Sequence, residues 1–89
     1  MKDYNPEDLL DFPCCYQFKA IGRAGNSFRD GIIAAVTQFT VVGEDSIMSR
    51  PSGKGGYQAL SLSVTVDNYQ QLTDIYAAMR QVEGLQLLL

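Results

Sequence analysis

Tyr57-Gln-Ala-Leu-Ser-Leu-Ser-Val-Thr-Val66 is the stretch on which the fold turns. Leu60, Leu62, Val64 and Val66 alternate with Ala59, Ser61, Ser63 and Thr65. That period of two puts one face of a strand in a core and the other outside. Alternation of this kind belongs to an antiparallel sheet covered on one side only. Downstream, Asp67-Asn68 caps a helix whose Leu72, Ile75, Tyr76, Met79 and Val82 form one apolar stripe. Gly84 ends it, and residues 85–89 read as a last strand. Upstream, Ser52-Gly-Lys-Gly-Gly56 is a connection. Before it, residues 45–50 read as a shorter strand, placed at a sheet edge because Pro51 cannot donate to a ladder.

Further back, residues 14–22 read as a strand with Tyr16, Phe18 and Ala20 on one face and Gln17, Lys19 and Ile21 on the other. The chain turns over residues 22–25, and Ser27 with Asp30 has the spacing of a capping box. Phe28, Ile32, Ala35, Val36 and Phe39 then keep helical spacing, with Gly43 as the expected stop. Asn5-Pro6-Glu7-Asp8 has the form of a helix start, so residues 1–13 are expected to be a short helical extension that lays Leu9, Leu10 or Phe12 on the body. Residues 14–89 form the domain. The order is strand, helix, strand, strand, helix, strand. Two right-handed crossovers around a central hairpin give an α+β, ferredoxin-like βαββαβ fold, a four-stranded antiparallel sheet with both helices on one face.

Composition narrows the function. The 89 residues hold 10 acidic and 7 basic side chains, no His, no Trp and two Cys, for a net charge of -3. Without His there is no Ser-His or Cys-His nucleophile and no common metal ligand, so no catalytic residue, metal site or cofactor is expected. The negative charge argues against non-specific nucleic-acid binding. The N-terminus has no apolar signal region, and no apolar run approaches the ~20 residues of a membrane helix. Cys14 and Cys15 are adjacent and fit no disulfide, zinc or redox spacing. They read as reduced, small, mostly buried strand residues of a cytoplasmic protein.

The open face of such a sheet is expected to carry Ala59, Ser61, Ser63 and Thr65, with Gln17, Lys19 and Ile21 from the first strand and Gln86 and Leu88 from the last. The most unusual stretch is Arg50-Pro-Ser-Gly-Lys-Gly-Gly-Tyr57, with two cations, a hydroxyl and three glycines. Glycines let backbone N–H groups converge on an anion, and Lys or Arg adds charge. It lacks the first Gly and the Ser or Thr of a P-loop. Lys54-Gly-Gly-Tyr57 is similar to a strand signature of RNA-recognition folds, but Gln58, Ala59 and Leu60 supply no second aromatic. Arg50, Ser52, Lys54, Gly55 and Tyr57 are the candidate ligand- or partner-binding residues.

Taken together, Phe12-Pro13, then Tyr16-x-Phe18-Lys19-x-x-Gly22, then Pro51-Ser52-x-Lys54-Gly55-x-Tyr57 with its Leu-Ser-Leu-Ser-Val strand resemble the YbeD-like family of small bacterial proteins. The resemblance runs from about Leu9 to Leu89. It implies a fold similar to the ACT-type regulatory domain of phosphoglycerate dehydrogenase, in a cytosolic family without an established biochemical role. ACT domains bind amino acids at the loop after the first strand, commonly across a dimer. Here Ala24 stands where that loop has Pro.

The expectation is a non-catalytic regulatory or adaptor module that acts by protein–protein contact or small-ligand sensing. The alternative is a homodimeric sensor of an amino acid or another small carboxylate. The partner is therefore an unidentified protein or a small carboxylate, with no nucleic acid and no membrane.

Overall fold

In the computed structural model, residues 11–52 and 55–89 are described. The expected helix from Asn5, with Leu9 and Leu10, lies outside the described residues, as does Lys54. Four strands and two helices follow in the order β1 (Cys14–Arg23), α1 (Asn26–Thr37), β2 (Ile47–Ser52), β3 (Tyr57–Val66), α2 (Tyr69–Arg80) and β4 (Leu85–Leu88), with a short 3-10 turn at Glu44–Ser46. The sheet order is β2-β3-β1-β4 and every pairing is antiparallel. This is the ferredoxin-like arrangement, with β2 at an edge.

β1 and β3 are the spine of the sheet, paired without interruption from Cys14–Val66 to Arg23–Tyr57. Phe18, Ala20, Leu60, Leu62, Val64 and Val66 are buried on the same face. Phe28, Ile32 and Val36 of α1 and Leu72, Ile75 and Met79 of α2 close over them in one cluster. Burial at period 2 meets burial at period 3.6, so the sequence pattern and the fold agree. Phe12 is half-buried against that cluster.

Four local expectations are corrected. The Ser27–Asp30 capping box does not form, because α1 begins at Asn26 behind Gly25, with no side-chain cap. The backbone of its entry turn is instead held from the sheet, by Ala24 N–H on the Gly56 carbonyl and by Gln58. α1 closes at Thr37 rather than near Gly43, as the Phe39 and Thr40 N–H groups both turn back to the Val36 carbonyl. The Gln71 side chain takes the Phe39 carbonyl, and Thr40 Oγ1 donates to the Thr65 carbonyl at 2.8 Å, which pins the segment to α2 and β3. Phe39 still packs on the core, so its place in the stripe survives the end of the helix. At α2 the cap is Asn68 alone, its Oδ1 accepting from Gln71 N–H at 2.8 Å, while Asp67 supplies a backbone N–H to the Gln71 side chain.

The fourth concerns β4. The β1–β4 ladder shifts register between Ile21 and Gly22, so that Leu85 faces Gly22 and Leu87 faces Ile21. Two residues of β4 thus span one step of β1, a bulge at Gln86. Leu88 lies opposite buried Ala20, and Leu85 and Leu88 pack on the core. Leu87 and Leu89 take the open face, where Gln86 and Leu88 were expected.

Candidate functional site

The helices leave the opposite face of the sheet uncovered. The strand pairings set its pattern in rows. Met48, Ser61 and Lys19 lie side by side on β2, β3 and β1, and Leu89 joins that row through backbone bonds in both directions with Lys19. The next row holds Arg50, Ala59, Ile21 and Leu87. Between large residues at the edges, Ala59 and Ser61 are small, so the middle of the face sinks. A depression of about 320 Å³ forms there, lined by Lys19, Ile21, Met48, Arg50, Ala59 and Leu89, with Gln17 and Ser61 completing it. Met48 is 61% exposed, Leu87 48% and Leu89 59%, an unusual apolar share for a solvent-facing surface.

Charge is segregated on the same face. None of the four strands contains an Asp or Glu, so the acidic residues among the described ones all lie outside the sheet. Lys19 and Arg50 stand at the depression, and among the described residues neither has an acidic partner, since Arg29–Asp30 at 3.6 Å is the ion pair found there. The surface is thus cationic and aliphatic on a molecule of net negative charge.

The predicted site residues are only partly brought together. Arg50 is exposed and joins the depression. The Ser52 backbone pairs with Tyr57 at the end of the β2–β3 hairpin, and Tyr57, 45% exposed, is opposite Arg23 of β1. Gly55 and Gly56 have φ of 95° and 81°, a left-handed pair that closes the hairpin and that a side chain would strain. Lys54 lies outside the described residues. Lys19, Met48 and Leu89 were missed as site residues. They come from three strands distant in sequence, and only the register joins them.

A second depression, of about 430 Å³, sits where β1 enters α1 and includes Arg23, Ser27, Phe28, Glu83 and Gly84. Gln58 supports that corner. Its Nε2 donates to the Arg23 carbonyl at 2.8 Å and the Gly25 carbonyl at 2.7 Å, and its Oε1 accepts from Ser49 at 3.0 Å. Tyr16 and Tyr76 share a hydroxyl–hydroxyl hydrogen bond of 2.9 Å beside Phe18. Burial, and after it the hydrogen bond and charge of Tyr16, raise the Tyr76 hydroxyl above its ordinary value, against the pull of Arg80. Cys14 and Cys15 are both free, but they are not mostly buried as expected: as strand neighbours they point to opposite faces, Cys14 half-buried and Cys15 exposed. Among the described residues no group of three His, Cys, Asp or Glu is placed to hold a metal ion, and no helix is long and apolar enough to cross a membrane.

The fold is of the ferredoxin-like class and is similar to that of ACT domains. An ACT domain from the GTP pyrophosphokinase of Chlorobium tepidum is similar with a TM-score of 0.66 at 22% identity, over 82% of this chain and 91% of that one. Protein HP0495 from H. pylori reaches a TM-score of 0.69 at 14% identity, over 99% of this chain and 98% of that one. At these identities the likeness is one of fold. The sequence profile described as "Protein of unknown function (DUF493)" matches residues 7–89, and the chain belongs to that family. A UPF0250 protein of Shewanella loihica is 35% identical over all 89 residues of both chains, and one of Shewanella baltica is 32% identical over the same length. The YbeD-like resemblance and its ferredoxin-like, ACT-like fold are borne out.

Proposed function

We propose that the protein is a non-catalytic regulatory or adaptor module of the bacterial cytoplasm that works by holding a partner protein on the open face of its sheet. The observation that carries this reading is the conjunction of exposed Met48 and Leu89 with Lys19 and Arg50, which have no acidic partner among the described residues, around one depression, with exposed Leu87 on the same face. A face that only met solvent would gain nothing from three exposed aliphatic side chains, whereas an interface gains about 25 cal/mol for each Å² of them it covers. The β2–β3 hairpin lies at one end of that surface, where exposed Arg50 and Tyr57 would extend it. The free Cys14 and Cys15 suit a reducing compartment.

A second reading is favoured by the corner beyond Gln58. There α1 starts without a side-chain cap and without an acidic residue in its first turn, beside Arg23 and a depression of about 430 Å³. A small carboxylate would find there a guanidinium and the positive end of a helix, as in a homodimeric amino-acid sensor.

Amide spectra of isotopically labelled protein distinguish the two. The expected result is silence with pooled amino acids and small carboxylates, then broadening confined to open-face amides on adding the protein fraction of a bacterial extract. Shifts at Arg23, Ser27 and Gly84 with one small molecule would replace the adaptor reading by the sensor. Broadening over the helices, or none at all, would remove the open face from consideration.

A further inference from the structure

We infer that the partner is an acidic segment in extended conformation, laid across the sheet so that carboxylates four residues apart, on one face of the segment, meet Lys19 and Arg50. This deepens the adaptor reading and rests on it. The first support is charge. The face offers two cations with no acidic neighbour in any strand, on a protein whose net charge is -3. An acidic partner meets complementary charge at this face.

The second support is shape. Arg50 lies two strands and two residues away from Lys19. Strand spacing puts their Cα atoms about 12 Å apart, and an extended chain advances about 3.3 Å per residue. Carboxylates four residues apart, which share a face of an extended chain, match that span. Between the cations lie Ala59 and Ser61, whose small side chains leave room for an extended backbone to cross the sheet. The third support is the nature of the apolar contacts. Met48, Leu87 and Leu89 are aliphatic and suit the aliphatic side chains of a peptide, while single-stranded nucleic acid calls for aromatic platforms.

The test uses the labelled full chain and three synthetic peptides, each with three repeats of a four-residue unit: Glu-Ser-Leu-Ser, which puts Glu and Leu on one face of an extended chain, and the same with Gln or with Lys in place of Glu. The Glu peptide is expected to shift the amides of Lys19, Ile21, Met48 and Ala59 and to bind at least about tenfold more tightly than the Gln peptide. That advantage should fade as added salt shortens the screening length. In the double variant Lys19→Glu with Arg50→Glu, whose exposed sites leave the spectrum dispersed, the preference should pass to the Lys peptide. Equal binding of the Glu and Gln peptides at the same amides would overturn the acidic partner yet leave the docking face standing. Failure of all three peptides to touch the face would overturn both. The same shifts from free glutamate, or from oligouridylate in place of the Glu peptide, would also overturn it, in favour of a small carboxylate or a nucleic acid.

Discussion

Gln58 is the polar side chain buried among the described residues, and both of its amide atoms are engaged at the β1–α1 turn. Gln58→Leu keeps the bulk and removes the donors, which strands the Arg23 and Gly25 carbonyls. The expected cost is about 1–3 kcal/mol, seen as a lower urea midpoint with an unchanged slope. No loss would mean that water serves the turn as well as the amide does. Gly22 lies beneath the Phe28 ring, whose nearest atom would be 2.3 Å from an added Cβ. Gly22→Ala must therefore push Phe28 out of the core and should cost roughly 1–3 kcal/mol in the same assay. Tyr76 gives a prediction in pH. Its hydroxyl is raised above 10.0 in the folded protein, so the folded chain keeps a proton that the unfolded chain releases. The stability tied to this group is whole below about pH 10 and falls as pH rises beyond it. Tyr76→Phe should flatten that alkaline decline in thermal melts between about pH 9 and 11. Parallel curves would assign the decline to other groups.

At the scale of elements, β4 tests the bulge. Leu88 packs on the core, whereas Leu87 is 48% exposed on the open face. Leu88→Ala should cost roughly 1–2 kcal/mol, and Leu87→Ala should stay within about 0.5 kcal/mol. Reversed costs would put β4 in the register of simple alternation. Residues 57–66 and the stripe of α2 were legible because burial there repeats at the period of the backbone itself. Leu85-Gln-Leu-Leu-Leu89 was not, since four leucines in five positions carry no alternation and the bulge is set by pairing with β1. The end of α1 was hidden for a related reason. Phe39 continues the apolar stripe, but its carbonyl is claimed by Gln71, 32 residues away. The same limit governs the site. Arg50 and Tyr57 stood out as a cation and an aromatic near a glycine-rich connection, while Lys19, Met48 and Leu89 gain meaning only when three strands are laid side by side.

At the scale of the molecule, the acidic residues among the described ones lie outside the sheet, and those residues leave one sheet face uncovered, cationic and partly apolar. Such a face adds nothing to the core beneath it. Replacing Lys19 and Arg50 together by Ala should leave stability within about 0.5 kcal/mol, as at most exposed sites, and a larger loss would make them part of the fold rather than of its use. The measurement that bears most directly on the open face as the working surface is site-specific photocrosslinking in the living bacterium. A photoreactive residue is placed singly at Met48 or Ser61 on that face, and at Ala34 or Ala77 on the exposed sides of the helices. The account predicts a discrete protein adduct from positions 48 and 61 that is absent from 34 and 77 and is lost when Lys19 and Arg50 are both changed to Glu. Adducts from the helix positions, or none from the sheet in a chain that remains folded, would contradict it.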